Sequence, residues 1–252
     1  MRYFVEASYR GTKYAGWQRQ PEDLSVQQVL EEAFSLILRE PIEITGCGRT
    51  DAGVHAQQFY FHFDTDHVFT PELLLRFNKY LPEDIGLHAA YRVEEEAHVR
   101  FDAVRRSYQY YLRFQKDALA GHLSHWYPYA DQLNPDAMQQ MAALLLEFEA
   151  FKTFCKEGSD AKHYLCRMDA AHWTFTDREA IFTITANRFL RGMVRLIVGA
   201  SVQVGRGKVS LDEIRKALVQ QHALTRAESA PPEGLHLVSV QYPPGTLDQR
   251  VG

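Results

Sequence analysis

Residues 46–56, Gly-Cys-Gly-Arg-Thr-Asp-Ala-Gly-Val-His-Ala, restrict the fold more than any other stretch of the chain. Glycines at 46, 48 and 53 permit backbone angles and close approaches that a Cβ would block, so the segment reads as a shaped loop. Upstream, Ile42-Glu43-Ile44-Thr45 reads as a short strand. Downstream, Phe59, Phe61 and Phe63 alternate with Gln58, Tyr60 and His62, the period-2 pattern of a half-buried strand. A loop between two sheet elements is a common mount for reactive groups, and this one carries Arg49, Asp51 and His55. The plainer alternative is an Asx-type turn in which Asp51 bonds its own backbone.

The first half reads strand, helix, strand, strand, helix, strand, beginning with residues 2–9. Ser25 with Gln28 makes a capping-box pattern, and Leu24 with Val29 fits a hydrophobic staple. Val26, Val29, Leu30, Ala33, Phe34 and Ile37 then mark one apolar helix face. Thr70-Pro71 suits another helix start, with Leu74 and Phe77 inward. Arg100 to Tyr111 leads into a strand on which Tyr108, Tyr110, Leu112 and Phe114 share one face. An irregular, His-rich stretch follows from Asp117 to Gln132.

Asn134-Pro135 opens a helix carrying Met138, Met141, Leu144 and Leu145. Strands are expected around 171–176 and 180–186. Arg188, Arg191 and Arg195 are three and four apart, so on a helix they form one stripe among Phe189, Leu190, Met193, Val194 and Ile197. Ser210 with Glu213 caps a further helix, and Leu235–Tyr242 supplies a final strand. Strands and helices mix without strict βαβ alternation, which points to an α+β fold with largely antiparallel sheets.

A chain of 252 residues buries a substantial core, as one large domain or two intimately packed halves. Met1–Val5 runs directly into strand-like sequence, so no secretory signal is expected, and no apolar run approaches the length of a membrane span. Cys47, Cys155 and Cys166 are an odd, widely spaced set, which fits free thiols in a reducing compartment and a cytoplasmic location. The net charge of −4 argues against indiscriminate coating of nucleic acid but leaves room for a local basic groove. Arg100, Arg105, Arg106 and Arg113 cluster around the tyrosine strand and, with the 188–195 set, are the candidates for it.

Taken in order, Trp17-Gln18-Arg19-Gln20, the Gly-Arg-Thr-Asp-Ala-Gly-Val-His string, the Arg-Arg-Ser-Tyr-Gln-Tyr block, Met193-Val194-Arg195 and Pro231-Pro232-Glu233-Gly234-Leu235 resemble the tRNA pseudouridine synthase A family. The resemblance covers almost the whole chain. It implies two ferredoxin-like halves, expected at 1–115 and 116–252. It further implies a continuous central sheet flanked by helices, a cleft at the joint, and a homodimer that acts on tRNA. The implied activity is isomerisation of uridine to pseudouridine in the anticodon stem-loop, at positions 38 to 40.

That reaction breaks a C–N glycosidic bond, turns the freed uracil, and joins C5 to the same ribose carbon. No electrons or atoms are exchanged, so no cofactor is expected. The resemblance assigns Asp51 as the catalytic carboxylate beside the sugar, with Arg195 as the cation paired to it; an opposite charge favours a carboxylate's ionised form. It assigns Tyr108 the stacking position against the target base, with Tyr110 left as a core residue. It supports Arg49 as the group that fills the gap left by an everted base. Arg188, Arg191, Arg105 and Arg106 are the expected phosphate contacts. Asp51 and His55 are four apart but lie in Gly-rich loop with no third ligand nearby, so no metal is expected and His55 is read as organising the loop. Cys155 and Cys166 lack CxxC spacing.

Leu196 stands where the family commonly has Asn, Asn78–Pro82 is a variant of a family segment, and Lys156–Cys166 is divergent; these touch the RNA footprint more than the chemistry. Three alternatives compete. One is a non-catalytic RNA-binding module of the same fold, and another a pseudouridine synthase for other RNA uridines. The third, an unrelated aspartate-dependent hydrolase, would need a metal set or second carboxylate near Asp51.

Overall fold

A computed structural model describes residues 1–156, 158, 161–224 and 228–252. Two compact units emerge, residues 1–105 with 236–252, and residues 106–235. The elements run β1 (Arg2–Tyr9), α1 (Val26–Leu38), β2 (Thr45–Gly46), β3 (His55–Asp64), α2 (Pro71–Tyr80) and β4 (Ile85–Val93). There follow β5 (Arg105–Arg113), β6 (His125–Trp126), α3 (Pro135–Leu145), β7 (Met168–Phe175), β8 (Glu179–Ala186), α4 (Met193–Gly205), α5 (Leu211–Gln220) and β9 (Leu235–Gln241). In the first unit the strand order is β4-β1-β3-β9, with β2 also on β3. Its pairs are antiparallel except β3 with β9, where His55 and Ala56 lie opposite His236 and Leu237. In the second unit β5-β8-β7 is antiparallel, and the short β6 runs parallel to β5. The α+β, mainly antiparallel class holds in each.

The first unit packs α1 and α2 on the Phe face of β3. Phe34 stacks on Phe77 at 3.9 Å and meets Phe61 and Phe63 edge-on, while Trp17 stacks on Phe59 at 4.0 Å. Each such buried ring stabilises by roughly 1.5–3 kcal/mol. The opposite face of β3 is also covered, against the half-buried expectation. Tyr60 meets Tyr242 edge-on, and His62 accepts a hydrogen bond from the Val99 N–H at 3.2 Å. Tyr242 in turn donates to the Val99 carbonyl at 2.6 Å, so β3 is buried on both faces from Phe59 to Phe63. Burial pushes the His62 imidazole down to about 4.

Caps set most helix starts. Thr70 accepts from Leu73, Asn134 from Ala137, and Ser210 with Glu213 completes both arms of a capping box. At α1 only one arm forms: Ser25 accepts from the Gln28 N–H, but the Gln28 side chain donates to Glu32. The staple beside it is weak, because Leu24 is 49% exposed. Phe77 is buried as expected, whereas Leu74 is half-buried. Phe114 falls one residue beyond the end of β5.

The expected strand at 42–45 begins only at Thr45. The polar face of α1 takes its backbone groups first: Ser35 accepts from Ile42 N–H, Glu31 from Ile44 N–H, and Gln27 donates to the Ile44 carbonyl. The arginine stripe differs more. Gly192 occupies the left-handed region at φ 68 and helix α4 starts after it, so Arg188 and Arg191 precede the helix that carries Arg195. Among the described residues no helix is long and apolar enough to cross a membrane.

Candidate active site

The Asp51 loop rests on the segment that follows β1. Trp17 N–H donates to the Thr50 carbonyl at 3.3 Å, and Gly53 N–H to the Tyr14 carbonyl at 3.2 Å. The hydroxyls of Tyr9 and Thr50 lie 2.9 Å apart, and Gly11 N–H donates to His55 Nδ1 at 3.0 Å. His55 thus fastens the loop's far end to residue 11, as a structural ring. Tyr14 is itself clamped, its hydroxyl donating to buried Asp84 at 2.6 Å. Burial, then that carboxylate, pushes the Tyr14 hydroxyl above its usual range.

Glycine permits this close fit at particular points. A Cβ on Gly46 would lie 2.4 Å from Trp17 Nε1, and one on Gly16, at φ 93, would lie 2.3 Å from the Thr50 carbonyl oxygen. Gly48 is different. Its φ is not left-handed, and a Cβ there would meet no atom within 4 Å among the described residues. The fold therefore gives no reason for glycine at 48.

A turn spans 51–54, with Val54 N–H donating to the Asp51 main-chain carbonyl at 3.1 Å and Gly53 at φ 78. Main-chain groups close this turn. Thr50 is buried as an anchor, flanked by exposed Arg49 and half-buried Asp51. The result is a guanidinium and a carboxylate two residues apart on a loop pinned from beneath.

In the second unit, the tyrosines of β5 separate by environment. Tyr110 is fully buried, donates to the Pro231 carbonyl at 3.0 Å, and lies so close to Gly234 that a Cβ there would come within 2.6 Å of its ring. Burial raises its hydroxyl's pKa, helped by Glu233. It is a core residue. Tyr108 is half-buried and meets Phe189 edge-on at 5.1 Å. Arg106 donates to the Asn187 carbonyl at 2.9 Å, so residues 187–189 gather Arg106 and Tyr108. Arg105, one residue earlier on the strand, is exposed and projects to the opposite side.

The three arginines of the expected stripe have separate supports. Arg188 lies 2.9 Å from His163 Nε2, Arg191 donates to the Gly158 carbonyl at 3.0 Å, and Arg195 Nε donates to the Ala230 carbonyl at 2.7 Å. The Arg195 support is tight. Ala230 N–H donates back to the Arg195 carbonyl, Gln203 donates to Glu228, and a Cβ on Gly199 would strike the Glu228 carbonyl at 1.8 Å. All three cysteines are free thiols, and burial pushes Cys166 up to about 11, which leaves it unreactive.

Sequence reasoning missed the loop's foundation, Tyr9, Gly11, Tyr14 and Gly16. The available signal was the pair of glycines at 11 and 16 between a strand and Trp17, where a Cβ would strike the Val54 and Thr50 carbonyl oxygens.

Residues 142–243 match a family model described as tRNA pseudouridine synthase. The chain is 42% identical over 248 residues to tRNA pseudouridine synthase A of Porphyromonas gingivalis, covering 96% of this chain and 97% of the relative. Proteins of the same name from Bacteroides fragilis and Azobacteroides pseudotrichonymphae are 40% and 38% identical over 245 and 243 residues, again across 96% of this chain and 96% and 97% of theirs. Identity of that level along nearly the full length of both partners leaves one conclusion: the chain belongs to the tRNA pseudouridine synthase A family.

Proposed function

We propose that this chain isomerises uridine to pseudouridine in the anticodon arm of tRNA, at positions 38 to 40, with Asp51 as the carboxylate that acts on the ribose. The C1′–N1 bond breaks, the uracil turns while held, C5 bonds to C1′, and the C5 proton moves to N1; the atoms of substrate and product are the same. Asp51 either attacks C1′ or takes the 2′ proton to start elimination. Arg195 is its partner cation and favours the charged carboxylate. Tyr108 stacks on the detached base, a contact worth roughly 1–3 kcal/mol. Arg49 fills the stack after eversion, which costs a few kcal/mol, and Arg105, Arg106, Arg188 and Arg191 take phosphates. The enzyme works as a homodimer in the cytoplasm, where its thiols stay reduced.

One observation carries this reading: exposed Arg49 and half-buried Asp51 lie two residues apart on a loop tied by hydrogen bonds to Tyr9, Gly11, Tyr14 and Trp17, in a chain of this family. Glycine at 48, unexplained by the fold, fits a ligand backbone passing close to that loop. Asp51→Asn is the decisive variant. Mass-spectrometric mapping of treated tRNA should give product on the order of 10³-fold more slowly or not at all, about 4 kcal/mol, with tRNA affinity kept. Retained turnover removes Asp51 from its role. A wild type that binds tRNA but forms no pseudouridine selects the binding-module alternative.

A further inference from the structure

We propose that the groove between α1 and α2 is a second tRNA contact, holding the phosphate backbone at a station separate from the Asp51 loop; this rests on tRNA being the substrate. The groove, of about 490 Å³, is lined by Leu36, Ile37, Arg39, Arg76, Lys79 and Tyr80. Three of these six carry positive charge and none is acidic. Among the described residues, none of the three forms an ion pair. The carboxylates on these two helices have other partners: Glu31 pairs with Arg19, Glu32 accepts from Gln28, and Glu72 is bonded at the Thr70 cap.

Its geometry suits a nucleic acid. Arg76, Lys79 and Tyr80 are three and four apart on α2 and share one face, while Phe77 turns inward onto Phe34. Tyr80 is 56% and Leu36 59% exposed, so an aromatic ring sits open beside the cations, as single-strand and backbone binders arrange them. A cation at a helix C-terminus complements the helix dipole, which accounts for Lys79 but not for Arg76 or the open ring. Arg39 closes α1 with a left-handed backbone at φ 61. The N-terminus of α1 is bonded to Gly16 and Trp17, beneath the Asp51 loop, and the helix places Arg39 about 20 Å further along. A second copy of the chain is the poorer occupant, because a two-fold contact here would face three cations with three more.

The test is the triple variant Arg39→Gln, Arg76→Gln, Lys79→Gln, against a control triple of exposed cations, Lys116→Gln, Arg178→Gln, Lys216→Gln. Fluorescence anisotropy with full-length tRNA reads affinity independently of turnover. The groove triple should bind about tenfold or more weakly at 0.15 M salt, and its log affinity against log salt should be shallower by about 2–3. The control triple should lose no more than about twofold, and kcat at saturating tRNA should stay unchanged in both. Tyr80→Leu should weaken binding about threefold or more, through lost stacking. Equal losses in the two triples, or none in the groove triple, overturn the proposal. So does conversion of a dimer to a monomer by the groove triple in sedimentation, which assigns the groove to a second copy. A wild type without pseudouridine formation overturns the activity instead and leaves the affinity comparison to decide the groove.

Discussion

The loop at 46–56 and the segment at 187–195 both present charged groups, yet they are built in opposite ways. In the loop, the reactive residues are few and the support is extensive: Tyr9, Gly11, Tyr14 and Trp17 each hold it. Of the glycines at 46 and 48, the first is closed to a Cβ by Trp17 and the second is open. In the arginine segment, each guanidinium has its own local support, on His163, Gly158 or Ala230, and only Arg195 stands on a helix. A loop pinned at many points fixes one geometry. A segment of separately held arginines is a set of independent contacts whose losses should add.

That contrast is breakable at several depths. The largest effect is expected at Arg195, the one arginine built like the loop: Arg195→Ala should lower kcat/KM about 100-fold or more, near 3 kcal/mol. An unchanged kcat with raised KM would make it another phosphate contact. Next comes the strand that carries the loop. His62 is held at about 4 when folded, below its unfolded value near 6.5, so the unfolded chain binds the extra proton between those values. Stability is complete above pH 6.5 and falls as the pH drops towards 4, by up to about 3 kcal/mol. Urea titrations of wild type and His62→Gln should show a flatter acid limb in the variant.

The two glycines then separate scaffold from ligand. Gly46→Ala should cost about 1–3 kcal/mol of stability, read as a lower Tm, because Trp17 must move. Gly48→Ala should leave Tm unchanged or slightly higher and slow tRNA modification about tenfold, near 1.4 kcal/mol. Equal Tm losses would abolish the distinction. The smallest effects belong to Arg188→Gln and Arg191→Gln. Each should weaken tRNA binding a few-fold and reduce the salt slope by about 1, and the double variant should show the sum.

Local chemistry was legible in the sequence and long-range competition was not. Ser210 with Glu213, Thr70-Pro71 and Asn134-Pro135 start helices where their side chains reach backbone groups three residues on. Residues 42–44 alternate like a strand, but Gln27, Glu31 and Ser35, spaced along one face of α1, take their hydrogen bonds. Arg188, Arg191 and Arg195 have helical spacing, yet one glycine at 192 with positive φ moves the helix start past two of them. In the site, the string holding Arg49 and Asp51 was readable as a shaped loop between two sheet elements. Its foundation in residues 9–17 was not, since the hydrogen bonds there are mostly main-chain groups that any residue type supplies.

The return of β9 to the edge of β3 has a consequence for the newborn protein. Ribosomes emit residues 1–105 first, but the strand that flanks β3 beside His55 arrives only with the last stretch of chain. At typical elongation rates, the interval is roughly 10–20 s. Throughout it, β2 covers that border only at Phe61 and His62, the His55–Ala56 end lacks its β9 partner, and an uncovered strand border invites pairing with other chains. Premature stop codons just before residue 236 should therefore yield insoluble polypeptide rather than a weakened enzyme.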